Sequence, residues 1–183
     1  SPLKHWRAGN GSRVAVMGLG GLGHMGVKFA HALGAHVTVI SHSPNKRDAA
    51  LAMGADEFIT VKDPKDLKPY ARTFDLILNT VSAQIDINDY IATLKIDGTL
   101  VVIGLPGKPY QVHVGTLLDQ RRSVAGSMIG GIAQLQEMIN FCGEHQITSD
   151  VEVIKAEYIN QAYERTVLSD VKYRFVIDAK SFI

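Results

Sequence analysis

The sequence is short of several things, and each shortage narrows what it can be. It holds one cysteine, Cys142, which excludes an intrachain disulfide and a tetrathiolate metal site and leads to the expectation of a reducing, cytoplasmic setting. Lysine and arginine number 19 against 18 aspartate and glutamate, and a net charge of +1 offers no broad field for nucleic acid or an anionic membrane. No apolar stretch approaches the roughly 18–20 residues that cross a bilayer. The opening residues Ser1-Pro2-Leu3-Lys4-His5-Trp6 lack the apolar core of a secretory signal, so the sequon Asn10-Gly11-Ser12 is read as coincidence. Neither a nucleic acid nor a membrane partner is expected.

What the sequence does have is a glycine turn in an informative place. Gly18-Leu19-Gly20-Gly21-Leu22-Gly23 follows the apolar run Val14-Ala15-Val16-Met17 and precedes a helix-like stretch. Strand, glycine turn and helix in that order form the setting in which G-x-G-x-x-G signals a dinucleotide site. One glycine allows the tight reversal, the next lets backbone approach a pyrophosphate, and the third lets helix and strand pack closely. The helix start then offers unpaired N–H groups to the phosphates.

Along the 183 residues, apolar runs alternate with helical patterns, which predicts β-α-β units and an α/β, doubly wound Rossmann fold with a six-stranded parallel sheet. Strands are expected at Arg13–Met17, His36–Ile40, Glu57–Thr60, Phe74–Leu78, Thr99–Ile103 and Ser123–Ser127. Helices are expected near Leu22–Leu33, Asn45–Met53, Ile87–Leu94, Thr116–Asp119 and Ile132–Glu144. Gly34 and Gly54 sit where a left-handed residue ends a helix, Asp97-Gly98 marks the turn into the fifth strand, and Ser43-Pro44 reads as a cap followed by a first-turn proline. After position 148 the pattern changes to a strand–helix–strand appendix (Val151–Lys155, Glu157–Leu168, Tyr173–Ile177), too small to bury a core of its own.

The segment Ser41-His42-Ser43-Pro44-Asn45-Lys46-Arg47 follows the second strand, close to the ~20 residues past the glycine turn where an acid would grip a ribose 2′-hydroxyl. It contains no carboxylate; Asp48 lies beyond it, inside a helix. A plain reading is a polar turn capped by Ser43. Taken together, hydroxyls, a histidine and two cations favour a 2′-phosphate, hence NADP(H) over NAD(H).

Several other candidates are set aside. His24 and His31 share a helix face without the spacing of a zinc-binding helix, and a surface or half-buried role is expected. His113 and His145 stand alone, the latter near a helix end whose dipole it suits. Cys142, on the face of Leu135, Met138 and Ile139, is expected to be a core thiol. Gly104-Leu105-Pro106-Gly107-Lys108 lacks the spacing and the hydroxyl of a P-loop. Tyr90 and Lys95 do not form the Tyr-x-x-x-Lys pair of short-chain dehydrogenases.

Gly18–Gly23 with His24-Met25-Gly26-Val27-Lys28-Phe29-Ala30 resembles the cofactor domain of zinc-dependent medium-chain alcohol dehydrogenases. The 41–47 segment and Ala52-Met53-Gly54-Ala55-Asp56 are similar to its NADP-using cinnamyl alcohol dehydrogenase branch. Asn79-Thr80-Val81-Ser82-Ala83, Val102-Ile103-Gly104-Leu105-Pro106, Gly126-Ser127-Met128-Ile129-Gly130-Gly131 and Tyr173-Arg174-Phe175-Val176-Ile177-Asp178 extend the resemblance along the whole chain. The resemblance implies cofactor contacts at Gly18, Gly20, Gly21, Leu22 and Gly23. Ser41, His42, Ser43 and Lys46 would surround the 2′-phosphate, with Thr80 and Val81 near a ribose. Gly104, Leu105, Ser127, Met128 and Ile129 would border the nicotinamide, and Arg174 would reach the pyrophosphate. Some relatives carry arginine where this chain has His42, which would weaken the NADP preference or tie it to pH.

The resemblance further implies that residues 1–10 end a connecting helix, 11–148 form the NADP-binding domain, and 149–183 return to a catalytic barrel. That barrel would carry the catalytic and structural zinc ions. The expectation is therefore the cofactor-binding portion of an oxidoreductase that exchanges hydride with a primary alcohol or aldehyde, with no catalytic residue or metal ligand of its own. It would be inactive alone, and it would form a homodimer through edge strand 123–127. A stand-alone nucleotide-binding module and the cofactor domain of a zinc-independent quinone or enoyl reductase are the alternatives. The first would require a 151–183 surface with few exposed apolar side chains.

Overall fold

Short runs of valine, isoleucine and leucine become strands because both of their faces are covered. The computed structural model describes residues 1–182. Its strands are β1 (Arg13–Met17), β2 (His36–Ser41), β3 (Glu57–Thr60), β4 (Phe74–Asn79), β5 (Leu94–Val102), β6 (Ser123–Gly126), β7 (Glu152–Ile154) and β8 (Phe175–Ile177). The helices are α1 (Pro2–His5), α2 (Gly23–Ala32), α3 (Arg47–Ala52), α4 (Asn88–Ile91), α5 (Val114–Leu118), α6 (Ile132–His145) and α7 (Ile159–Val167).

The first six strands form one parallel sheet in the order β3-β2-β1-β4-β5-β6, while β7 and β8 pair in parallel by themselves. This is the doubly wound sheet that the alternating pattern predicts. The order reverses direction between β1 and β4, so the connections on either side leave a crevice at the carboxyl ends of those strands. Val14, Val16, Val37, Val39 and Val27 make up the core on one face, and Ala15, Met17, Phe74, Ile77, Ile91 and Leu100 the core on the other. Gly34 and Gly54 have φ of +85° and +99°, as helix-terminating left-handed positions.

Several local expectations are corrected. The helix expected over Ile87–Leu94 is confined to α4, because the Thr93 N–H and hydroxyl both donate to the Tyr90 carbonyl and Leu94 already pairs with Phe74. The Asp97-Gly98 turn exists, but as an irregularity inside β5: the register slips between Phe74 and Leu76, and Asp97 takes φ +62°. Residues Pro64–Tyr70 form a 3-10 turn that periodicity did not foretell, capped by the Asp63 carboxylate at the Lys65 N–H. The Ser43 side chain caps nothing; its backbone N–H instead donates to the Ser41 hydroxyl at 3.1 Å.

Cys142 is half-buried rather than a core thiol, since Leu135, Met138 and Ile139 beside it remain 50%, 39% and 52% exposed and the described residues cover that face only in part. His24, expected at the surface or half-buried, is completely buried, because the C-terminal segment folds across the start of α2. Among the described residues, no helix is long and apolar enough to cross a membrane.

Candidate functional site

The glycine turn lies at the carboxyl end of β1, where the crevice opens. Gly18 takes φ +84°, a conformation that side chains disfavour, and its N–H donates to the Ile40 carbonyl of β2. A Cβ on Gly23 would stand 2.0 Å from the Gly18 carbonyl oxygen, so the reversal itself demands glycine there. At Gly20 a Cβ would meet no protein atom within 4 Å. The middle glycine is therefore free of protein packing, and the space beside it is left for something else. At Gly26 a Cβ would sit in ordinary contact with Leu78 and Val16 at 3.6 Å, so the helix packs on the sheet there without requiring glycine.

Above this turn lies a cavity of about 530 Å³. Gly18, Leu19, Gly20 and Gly21 form its floor, and Ser41, His42 and Lys46 wall it on the β2 side. Val81, Ile85 and Tyr90 face it from beyond β4; Thr166, Ser169, Val171 and Tyr173 close it from the C-terminal segment. No carboxylate lines it. The Lys46 ammonium donates to the Leu19 carbonyl, a second lining residue, at 3.1 Å, and burial pulls its pKa below the ordinary lysine value. Desolvation penalises the charged form, so an anion placed there would be drawn to it strongly. Burial raises the Tyr90 and Tyr173 phenols, helped by the neighbouring Asp89 and Asp150 carboxylates, so both hydroxyls stay protonated.

The remaining sequence candidates take other positions. Thr80 donates its hydroxyl to the Met17 carbonyl at 2.7 Å and thereby laces β4 to β1 beneath the turn. Val81 lines the cavity, its N–H held by the buried Asn79 side chain. Gly104 is buried where a Cβ would come within 2.4 Å of the Val81 carbonyl oxygen, so two strand ends approach closely at that point. The Ser127 N–H donates to Val102, prolonging the β5–β6 ladder. Leu105, Met128 and Ile129 stand apart from the cavity and are 83%, 87% and 94% exposed. Leu22 is exposed at the start of α2, Ser43 flanks the cavity without lining it, and Arg174 donates to the Gly21 carbonyl at 3.0 Å.

Sequence reasoning passed over Ile85, Tyr90, Thr166, Ser169, Val171 and Tyr173. Only Tyr173 carried a signal, as the neighbour of Arg174. The others reach the cavity through tertiary placement alone.

A family model described as zinc-binding dehydrogenase matches residues 21–144. The chain belongs to the zinc-binding dehydrogenase family. Among curated relatives, it is 54% identical over 181 residues to NADP-dependent alcohol dehydrogenase C 1 of Mycolicibacterium smegmatis, covering 99% of this chain and 52% of the relative. It is 50% identical to the aldehyde reductase YahK of Escherichia coli, covering 99% of the chain and 52% of that relative. A solved cinnamyl alcohol dehydrogenase from Sorghum bicolor superposes with TM-score 0.93 at 45% identity, over 97% of this chain and 51% of that one. A Helicobacter pylori enzyme, solved in complex with NADP(H), gives TM-score 0.88 at 37% identity over 98% and 51%. The chain thus spans about half the length of the relatives it matches. Among the described residues, no group of three or more His, Cys, Asp or Glu side chains is placed to hold a metal ion.

Proposed function

We propose that this chain is the NADP(H)-binding half of an alcohol dehydrogenase or aldehyde reductase. The observation that carries the reading is the cavity wall at the end of β2, where Ser41, His42 and Lys46 stand and no carboxylate does. A 2′-phosphate there would receive charge-assisted hydrogen bonds, while the acid that selects a free 2′-hydroxyl is missing. The residues present also fit a pyrophosphate. Gly20 leaves open space, the first turn of α2 offers unpaired N–H groups, and the Arg174 guanidinium lies alongside. The NADP(H) complex of the Helicobacter pylori relative and the names of the curated relatives support the same cofactor.

In this reading the chain's own residues bind and orient. Lys46 and Ser41 fix the adenosine end, the glycine turn fixes the middle, and Val81 with the strand ends at Gly104 and Ser127 borders the nicotinamide end. The bound cofactor supplies the hydride donor or acceptor. The described residues form no metal site, so the zinc of the family belongs in this proposal to the rest of an intact enzyme, where it would act as a Lewis acid on the substrate oxygen. Residues 1–10 then lead in from a catalytic domain, 11–148 hold the cofactor and 149–183 lead back.

The exposure of Val153, Tyr163, Val167, Leu168 and Phe182 at 68%, 68%, 84%, 77% and 69% argues against a self-contained binding module. We further propose a homodimer joined at β6, the sheet's edge strand, whose outer backbone groups are free to pair. Sedimentation of the chain as a monomer at micromolar concentration would overturn that part.

Calorimetric titration of the chain with NADPH and NADH tests the main reading. NADPH is expected to bind at least tenfold more tightly, and aldehyde reduction is expected to be absent. A preference for NADH, or turnover by this chain alone, overturns it.

A further inference from the structure

We propose that His24 is a positioning residue: its imidazole ties the glycine turn to the C-terminal segment and thereby aims the Gly21 N–H into the cavity. His24 does not line the cavity. It is the second residue of α2 and is completely buried, with a polar contact on each ring nitrogen.

Nδ1 lies 3.1 Å from the Gly20 carbonyl oxygen, and Nε2 lies 3.3 Å from the Ser149 hydroxyl. A carbonyl only accepts, so Nδ1 must carry the hydrogen and Nε2 must offer its lone pair to the Ser149 O–H. That fixes one tautomer of the neutral ring. The ring face stacks on Tyr173 with centroids 4.7 Å apart and planes 14° from parallel. Tyr173 closes the cavity, and the next residue, Arg174, holds the Gly21 carbonyl. One side chain therefore touches the turn, the start of the C-terminal segment and the residue that walls the site.

The consequence for the turn follows from peptide geometry. The Gly20 carbonyl receives the His24 backbone N–H at 3.0 Å as well as Nδ1, so it is pinned toward the helix from two directions. In a trans peptide the next N–H points opposite to that carbonyl. The Gly21 N–H is thus turned away from α2 and toward the cavity, and it has no partner among the described residues. An imidazole hydrogen bond on the buried side sets a donor on the open side.

The surroundings of the ring favour the neutral form, through burial first. Burial is the dominant cause that lowers the His24 pKa, and Lys28 on its own helix and Arg174 on the C-terminal segment act in the same direction. The Gly20 hydrogen bond and the Asp150 carboxylate oppose them without reversing the direction. Tyr173 completes the surroundings with a protonated phenol.

The proposal rests on the reading of the cavity as a dinucleotide site, and the test separates the two. NADPH affinity is measured for the unaltered chain, His24→Asn and His24→Phe, with thermal unfolding of each recorded alongside. The asparagine amide can donate to Gly20 from near the Nδ1 position, whereas phenylalanine keeps the stack on Tyr173 and loses the donor. His24→Asn is expected to stay within about threefold of the unaltered chain and His24→Phe to bind about tenfold more weakly. Equal affinity of the phenylalanine variant and the unaltered chain overturns the proposal alone. Absence of NADPH binding by the unaltered chain overturns the cavity reading, and the proposal with it. Should His24→Phe fail to fold, nitrogen-15 NMR of the ring in the unaltered, cofactor-free chain decides: an Nδ1–H tautomer at neutral pH supports the proposal, and an Nε2–H tautomer overturns it.

Discussion

Helix α2 buries Gly23, His24, Val27 and Ala30, whereas α6, with 14 residues, buries none of its own. Both helices show the spacing of an amphipathic surface helix. The first finds its apolar partner in β1 and β4 of the same chain, where Val27 and Ala30 join Val14, Val16, Leu76 and Leu78 in one buried cluster. The second turns Ile132, Leu135 and Ile139 outward at 89%, 50% and 52% exposure. The pattern in a sequence records that a face needs covering, and not what covers it. On the glycine-turn side the cover is internal. On the α6 side it is not found among the described residues, which accords with a chain spanning about half the length of its relatives.

Substitutions in the core around β4 should show how far the well-covered side differs. Phe74 is fully buried between strands and the 3-10 turn, stacked on Tyr70 at 6.5 Å. Phe74→Ala should cost about 3–5 kcal/mol in urea unfolding. A cost below about 1 kcal/mol would mean that this side is no better packed than the other.

The glycine turn divides in the same way on a finer scale. Gly23→Ala places a Cβ 2.0 Å from backbone, and backbone cannot yield as a flexible side chain would. It should cost about 3 kcal/mol of stability and abolish NADPH binding. Gly20→Ala meets open space, so stability should change by less than about 0.5 kcal/mol while NADPH affinity falls about tenfold or more. Unfolding and titration run on both variants tell a folding glycine from a binding one. If Gly20→Ala binds normally, the pyrophosphate is not where the turn suggests.

Lys46 supplies the next smaller effect. It touches the turn from the β2 side, and its Nζ donates to the Leu19 carbonyl in the cavity floor. Lys46→Ala should weaken NADPH by about 10- to 100-fold and NADH by less than about threefold, because only the former carries the 2′-phosphate. Equal losses for the two cofactors would assign the lysine to the turn's structure rather than to phosphate selection.

How much was legible divides along this same line. The turn, the six sheet strands and the termination of helices at Gly34 and Gly54 are local, written within a few residues by glycine spacing and apolar runs. The site wall at Ser41 and Lys46 could be read because it follows β2 at a fixed distance. Thr166, Ser169 and Val171 could not, since they reach the turn only after the C-terminal segment folds back across α2. The same fold-back explains the burial of His24: neighbours in sequence say nothing of Ser149 or Tyr173. Cys142 shows the reverse: an amphipathic face does not by itself prove burial.

Acidification should act on the covered side through His24. The His24 pKa is lowered in the folded chain, so below the ordinary histidine value of about 6.5 the unfolded chain binds a proton that the folded one refuses. The unfolded state then holds more protons, and stability must rise with pH through that window. It is fully present above it and lost as pH falls toward the lowered folded value. Unfolding midpoints at pH 7.5 and 5.5 should therefore differ more for the unaltered chain than for His24→Asn. Identical pH responses would mean that the ring titrates as an exposed histidine does.

The smallest expected effect is the most direct test of the comparison. Ile132 begins α6 and is 89% exposed, so Ile132→Ser removes almost no buried apolar area and introduces no unpaired buried group. Its N-cap is Gly131, and serine inside the first turn of a helix is tolerated with a loss of only a few tenths of a kcal/mol. The change should therefore move the unfolding free energy by less than about 0.5 kcal/mol. An apolar side chain in full contact with water should also drive self-association, so the serine variant should stay monodisperse to higher concentration in light scattering. A destabilisation above about 1 kcal/mol would place Ile132 under cover that this chain provides for itself, and the contrast between α2 and α6 would then fail at its outermost residue.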